Sequence, residues 1–256
     1  MRSISFIYLD LDDTLLDHSG AVRRATASYL QDYQNIFPHT PEEFYKEWCE
    51  LIENYYFAYL RGDITYEQQR IYRIKEMYHR QSYELNDSQA QEHFNHYLYH
   101  YENNWKLFDD VAEFFNKCPL KKGIITNGNS AQQRKKIDRL GLSKLVDPII
   151  ISDEVGFAKP ESAIFLEACQ QAKVDPQYVL YVGDRLQADI IGSKKAGLTP
   201  IWIRRYSSSP AQGHIPFIQS LCELDLNKIG SSRFNTRHLQ YAHEAKDSEK
   251  SKSLTR

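Results

Sequence analysis

The feature that most narrows the fold is a repeated grammar, in which a short apolar run stops at a polar residue or glycine and a helical pattern follows. Ile4-Ser5-Phe6-Ile7-Tyr8-Leu9 runs into Asp10, and Gly123-Ile124-Ile125 runs into Thr126-Asn127-Gly128. Pro148-Ile149-Ile150-Ile151 runs into Ser152-Asp153, and Val179-Leu180-Tyr181-Val182 into Gly183-Asp184. Pro200-Ile201-Trp202-Ile203 closes the series. Helical patterns lie at 130–140, stopped by Gly141, at 161–172, and up to Ala196 with Gly197 behind it. Continuous apolar strands alternating with helices predict an α/β fold whose parallel sheet is covered on both faces.

A different pattern fills the gap between the first two strands. No proline occurs between Pro41 and Pro119, and Gly62 is the only glycine between Gly20 and Gly123. Apolar residues recur there at three and four, as in Phe44, Trp48, Leu51, Ile52 and Tyr55, and again in Ile71, Ile74 and Tyr78. An excursion of about 90 residues is too long for one crossover helix, so it predicts a separate helical domain inserted into the sheet domain. The expected boundaries are 1–17 and 107–230 for the sheet domain, 18–106 for the insert, and 231–256 for a polar, disordered tail with a short helix near Leu239. The insert holds 13 of the 18 tyrosines, which at helical spacing read first as packing.

Composition excludes several classes. With 32 Lys+Arg against 34 Asp+Glu the chain lacks the basic field of a nucleic-acid binder. Cys49, Cys118, Cys169 and Cys222 are isolated, which excludes a disulfide framework. The N-terminus has no signal-peptide pattern, and no run is long and apolar enough to span a membrane. Those features point to a soluble cytoplasmic protein.

The unusual polar groups lie just after apolar strands, where open parallel sheets form their ligand crevice. Asp10, Asp12 and Asp13 follow the first strand, Thr126 the second, Lys159 the segment after the third, and Asp184 and Asp189 the fourth. A lone Asp in such a place is a turn former or a helix cap. Together these groups put several carboxylates in one crevice, where they repel and desolvate one another. A hard divalent cation with oxygen ligands, above all Mg²⁺, resolves that conflict. Lys159 adds positive charge, while Thr126 with Asn127 and Gly128 adds neutral donors, a set suited to a transferring phosphoryl group.

Asp10-Leu11-Asp12-Asp13-Thr14-Leu15, Ile124-Ile125-Thr126-Asn127-Gly128, Gly156-Phe157-Ala158-Lys159-Pro160 and Gly183-Asp184-x4-Asp189 resemble, in order, the four motifs of the haloacid dehalogenase superfamily. The resemblance covers residues 4 to about 204, and the insert resembles the family's α-helical cap of the C1 type. Leu60-Arg61-Gly62-Asp63-Ile64-Thr65 and the Thr-Asn-Gly motif are similar to the subset that contains pyrimidine 5′-nucleotidases and acylneuraminate 9-phosphatases.

The resemblance implies a Rossmann-like core with an inserted α-helical cap, and a Mg²⁺-dependent phosphatase acting on a small phosphorylated metabolite, with no nucleic-acid polymer or membrane as partner. It implies Asp10 as nucleophile and Asp12 as general acid and base. It also implies Thr126 on a phosphate oxygen, with Lys159 offsetting charge. The metal would be held by Asp10, the Asp12 main-chain carbonyl and Asp184, with Asp189 orienting its water shell or Lys159. Asn127, Gly128 and the cap residue Arg61 are the expected substrate contacts. Arg185 stands where many relatives carry a small hydroxyl residue, and an interdomain ion pair is its expected use. A haloacid dehalogenase and a sugar-phosphate mutase are alternatives on the same scaffold. A receiver module, which places its acids on a different strand and has no cap, is the alternative from another class.

Overall fold

A computed structural model describes residues 3–206 and 215–226 of the 256-residue chain. The expected tail, 231–256, lies outside the described residues. Six strands form one parallel sheet: β1 (Phe6–Leu9), β2 (Lys121–Thr126), β3 (Ile149–Ile151), β4 (Val179–Gly183), β5 (Thr199–Ile203) and β6 (Phe217–Ile218). Their order is β3-β2-β1-β4-β5-β6, with every neighbouring pair parallel. This is the α/β, Rossmann-like sheet expected from the alternation of strands and helices, with one strand more than the apolar runs indicated. β6 escapes notice because two residues at a sheet edge leave no periodic signal.

β1 is buried along its whole length. Phe6 and Tyr8 pack on one face of the sheet against Phe165, Ala168 and Cys169 of the helix Ser162–Ala172. Ile7 and Leu9 pack on the other, in the cluster that includes Val111 and Phe114 of the helix Asp110–Lys117 and Ile137 of the helix Ser130–Arg139. A strand covered on both faces has no polar side to alternate with.

Four helices fill the long insertion: α1 (His18–Asp32), α2 (Pro41–Leu60), α3 (Tyr66–His79) and α4 (Asp87–Asn103). Side-chain capping divides this segment where breakers are scarce. Thr40 with Glu43, Thr65 with Gln68 and Asn86 with Gln89 each form a reciprocal capping box at the start of α2, α3 and α4. Tyr29, Phe37, Phe44, Trp48, Tyr78 and Tyr97 make an aromatic core, with Trp48 and Tyr97 ring centroids 4.2 Å apart. Most of the buried tyrosines are therefore packing groups. On α3 the buried stripe differs from the apolar spacing in the sequence. It contains Gln69 and Arg73 beside Ile74, Met77 and Tyr78, while Ile71 and Lys75 lie at its margins.

The insert joins the sheet through two antiparallel linkers. Asp17 N–H donates to the Lys106 carbonyl at 3.0 Å, and Phe108 N–H to the Leu15 carbonyl at 3.0 Å. No helix among the described residues is long and apolar enough to cross a membrane.

Asp110 fastens the far edge of the sheet. Its Oδ2 accepts from Arg205 Nη1 at 2.6 Å, Ser220 Oγ at 2.7 Å and Leu221 N–H at 2.6 Å. Burial opposes the charged form, but the bonds from Arg205 and Ser220 outweigh it and hold the pKa below the usual carboxylate range. A folded-state pKa that is lowered stabilises the protein above the unfolded value near about 4, and that stabilisation is lost as the pH falls through the folded value. Asp110→Asn should therefore cost about 2 kcal/mol at pH 7. The difference from wild type should shrink steadily below about pH 4 in urea titrations. A deficit independent of pH would contradict this account.

Candidate active site

The in-register pairing of β1 with β2 and β4 brings their carboxyl ends together. Asp10 follows β1 directly, and its N–H donates to the Val182 carbonyl at 2.9 Å. Its side chain is buried against Lys159, whose Nζ lies 2.5 Å from Asp10 Oδ1. The same Nζ donates to Asp189 Oδ1 at 2.7 Å and to the Tyr181 hydroxyl at 3.1 Å. Asn127 fixes the backbone that carries this lysine. Its Oδ1 accepts from Lys159 N–H at 2.8 Å and its Nδ2 donates to the Lys159 carbonyl at 2.9 Å.

Asp189 sits in a widened helical turn after β4, where both the Asp189 and Ile190 amides donate to the Arg185 carbonyl. Its Oδ2 accepts from Arg185 N–H at 2.9 Å, so both carboxylate oxygens are committed. Gly183 makes this possible, because a Cβ there would fall 2.5 Å from Asp189 Cγ. The indole of Trp202 holds the neighbouring Asp184 carbonyl at 2.7 Å.

Carboxylate oxygens of Asp10, Asp184 and Asp189 lie within 4.8 Å of one another. Burial pushes Asp10 up to about 7, with Lys159 opposing the rise and Asp189 adding to it. Asp184 is raised well above the carboxylate range by burial and by the charges of Asp10 and Asp189. Lys159 moves up despite its burial, because both acids favour its charge. One buried cation faces three acids, and among the described residues no cation lies within ion-pair distance of Asp184. An all-oxygen, charge-deficient cluster of this kind suits a hard divalent cation such as Mg²⁺.

Asp12 is held differently. Lys136 Nζ donates to its two oxygens at 2.7 and 2.9 Å, and Gln133 Nε2 donates to Oδ2 at 3.1 Å. Burial opposes ionisation there, yet Lys136 and His18 outweigh it and lower the pKa to about 2. Gln133 also donates to Thr126 Oγ1 at 2.6 Å, linking the two motif residues. Sequence reading missed Gln133 and Lys136. Their signal is a polar pair three apart on the helix Ser130–Arg139, one turn after the Thr-Asn-Gly motif, and it marks nothing until Asp12 is placed opposite.

The insert covers the crevice. The Tyr56 hydroxyl closes on Gly128, which has a φ of +138°. Tyr101 bonds His18 Nδ1 at 2.7 Å, and that nitrogen lies 3.7 Å from Asp12. Arg185 reaches Glu53 of α2 at 3.4 Å, an ion pair between the sheet and the helical layer. The Gly128 N–H donates to Ser152 Oγ at 3.0 Å. Arg61 is not drawn to the strand ends. It caps α2 at the surface and pairs with Asp63 at 2.7 Å.

An α/β sheet with an acid-rich crevice, one buried lysine and a helical layer folded over it defines a capped hydrolase. The family model for haloacid dehalogenase-like hydrolases matches residues 4–197, and the chain belongs to that family and is an enzyme. It is similar to the glyceraldehyde 3-phosphate phosphatase of Pyrococcus abyssi, 31% identical over 78% of this chain and 82% of that protein. A shorter stretch, 41% of this chain and 48% of the relative, is 43% identical to the pyrimidine 5′-nucleotidase YjjG of Escherichia coli. Among solved structures the chain resembles the hydrolase YfnB of Bacillus subtilis, bound to magnesium, with a TM-score of 0.72 and 25% identity. The match covers 90% of this chain and 100% of that one.

The cluster predicts opposite effects for its two partners. Lys159→Met strands buried carboxylates and should cost about 3–5 kcal/mol. Asp10→Asn relieves the crowding and should leave stability level or higher. Urea denaturation in metal-free buffer measures both, and equal losses would refute the charge balance described.

Proposed function

We propose that this hydrolase cleaves small phosphomonoesters, such as a nucleoside 5′-monophosphate or a sugar phosphate, through an aspartyl phosphate on Asp10. The observation that carries the reading is the Asp10 carboxylate, pinned on one oxygen by Lys159 and set two residues before a second, independently held acid. The names of the similar proteins, a sugar-phosphate phosphatase and a nucleotidase, support the same chemistry. So does the magnesium in the YfnB structure.

Asp10 and Asp184 would hold Mg²⁺ together with the Asp12 carbonyl, since Asp189 has both oxygens engaged. A metal ion held there would supply positive charge to offset that of the phosphoryl oxygens. The free oxygen of Asp10 attacks phosphorus, and the bond from phosphorus to the alcohol oxygen breaks. Asp12, which takes up a proton from solvent before the attack, gives it to the departing alkoxide, then takes one from the water that attacks phosphorus and releases phosphate from Asp10. Lys136 keeps Asp12 ionised at rest, so the acid role requires Lys136 to turn from Asp12 toward the arriving phosphate. Thr126 and Lys159 receive the remaining phosphoryl oxygens. A dehalogenase needs neither carboxylate, and the presence of Asp12 and Asp184 at this crevice supports the phosphatase reading.

The protein should release phosphate from p-nitrophenyl phosphate with added Mg²⁺ and stop in EDTA. Asp10→Asn should lower turnover at least about 10³-fold. Full activity in metal-free buffer, or near wild-type turnover of Asp10→Asn, would overturn the assignment.

A further inference from the structure

The helical layer carries a second cluster of ligand-type side chains, on its surface and away from the strand ends. His96 and His100 stand four apart on α4, which places both imidazoles on one face. Asp32, the last residue of α1, meets them from the neighbouring helix. Its Oδ2 lies 3.1 Å from His96 Nε2 and 3.4 Å from His100 Nε2, and the two Nε2 atoms are 3.2 Å apart. The three atoms make a nearly equilateral triangle. The Tyr33 hydroxyl bonds the other ring nitrogen of His96, Nδ1, at 2.9 Å. Among the described residues no lysine or arginine lies within ion-pair distance of Asp32.

Hydrogen bonds do not account for that triangle. An imidazole Nε2 has one in-plane position, filled by either a proton or a lone pair. It cannot direct that position along two edges at once. If both nitrogens carry protons, two N–H groups face each other across the 3.2 Å edge. If either is bare, its lone pair lies beside a carboxylate oxygen instead. A single cation at the centre satisfies all three atoms, because each then needs only one direction.

The spacing and the donor types name the ion. Tetrahedral Zn²⁺ takes imidazole nitrogen at about 2.0–2.1 Å, which sets neighbouring ligands about 3.3 Å apart. Two imidazoles with one carboxylate suit Zn²⁺ or a neighbouring transition metal, whereas the oxygen donors at the strand ends suit Mg²⁺. A ligating histidine usually has its other nitrogen held by a hydrogen-bond partner, as Tyr33 holds His96. The side chains of Asp32 and His96 are 46% and 35% exposed, so an ion reaches them from solvent.

We propose that Asp32, His96 and His100 form a tetrahedral Zn²⁺ site, with water as the fourth ligand. The ion fastens the end of α1 to α4. It takes no part in the hydrolysis proposed above, since Asp32 closes the end of α1 opposite to His18, the residue beside Asp12. The proposal therefore does not depend on the phosphatase reading.

The test uses the untagged 256-residue chain, dialysed against buffered micromolar Zn²⁺ in excess Mg²⁺. Wild type should retain one equivalent of Zn²⁺ more than His96→Gln or His100→Gln. Zn²⁺ should also raise the Tm of wild type more than that of either variant. Asp32→Asn should weaken the binding by at least about tenfold, because even a group that only orients a ligand contributes that much. This arm distinguishes the three-ligand site from a bare histidine pair, which binds such ions on the surface of any helix. Co²⁺ in place of Zn²⁺ should give wild type the strong visible absorption of a four-coordinate ion, and His100→Gln should lose it.

Equal Zn²⁺ retention in wild type and both histidine variants overturns the site, as does wild-type affinity in Asp32→Asn. A weak, six-coordinate Co²⁺ spectrum in wild type overturns the tetrahedral assignment.

Discussion

Everything at the strand ends is arranged around the buried ammonium of Lys159. It meets Asp10 from β1, Tyr181 from β4 and Asp189 from the turn behind β4, and Asn127 from the end of β2 holds its backbone. Parallel strands share no hairpin to fix their ends, so a polar hub of this kind sets their relative height. One positive charge against three acids is also an incomplete neutralisation. The deficit equals the charge of one divalent cation, which ties the electrostatics of the fold to the chemistry proposed for it.

The helical layer obeys a different logic. Its interior is aromatic, and three of its four helices start with capping boxes. It shares one buried apolar cluster with the sheet layer, and surface pairs such as Glu53 with Arg185 and Glu102 with Lys135 are added to that. Surface pairs of this type contribute about 0–1 kcal/mol each. The apolar cluster, and not these pairs, therefore holds the helical layer over the strand ends, with Tyr56 and Tyr101 beneath it.

Much of this was legible in the sequence, for physical reasons that differ by element. The apolar runs disclosed β1 to β5 because strands buried on both faces are mostly apolar, although β2 begins with Lys121 and a buried Lys122. Asp10, Thr126, Lys159 and Asp184 were legible because each directly follows such a run or its connecting segment. Gln133 and Lys136 were hidden, since on an amphipathic helix they read as solvated charge until the opposing Asp12 is located. Arg61 shows the reverse failure. Its place beside the lone glycine of the insert suggested a turn facing the site, but the turn projects outward and Asp63 takes the guanidinium. The inner face of α3 was hidden too, because Gln69 and Arg73 interrupt the apolar spacing at the positions that point inward.

That interruption shows two ways in which this molecule carries a buried charge. Arg73 lies near the rings of Trp48 and Phe94 with no carboxylate in ion-pair contact among the described residues, and its burial lowers its pKa. Aromatic faces stabilise a cation above them, so the core of the helical layer accommodates this one charge through its own rings. The acids at the strand ends have no such accommodation, because Lys159 is a single cation and the charges of Asp10 and Asp189 add to the burial that raises Asp184. A charge that its surroundings leave uncompensated costs stability, and a site that keeps one is poised for a ligand that completes the balance.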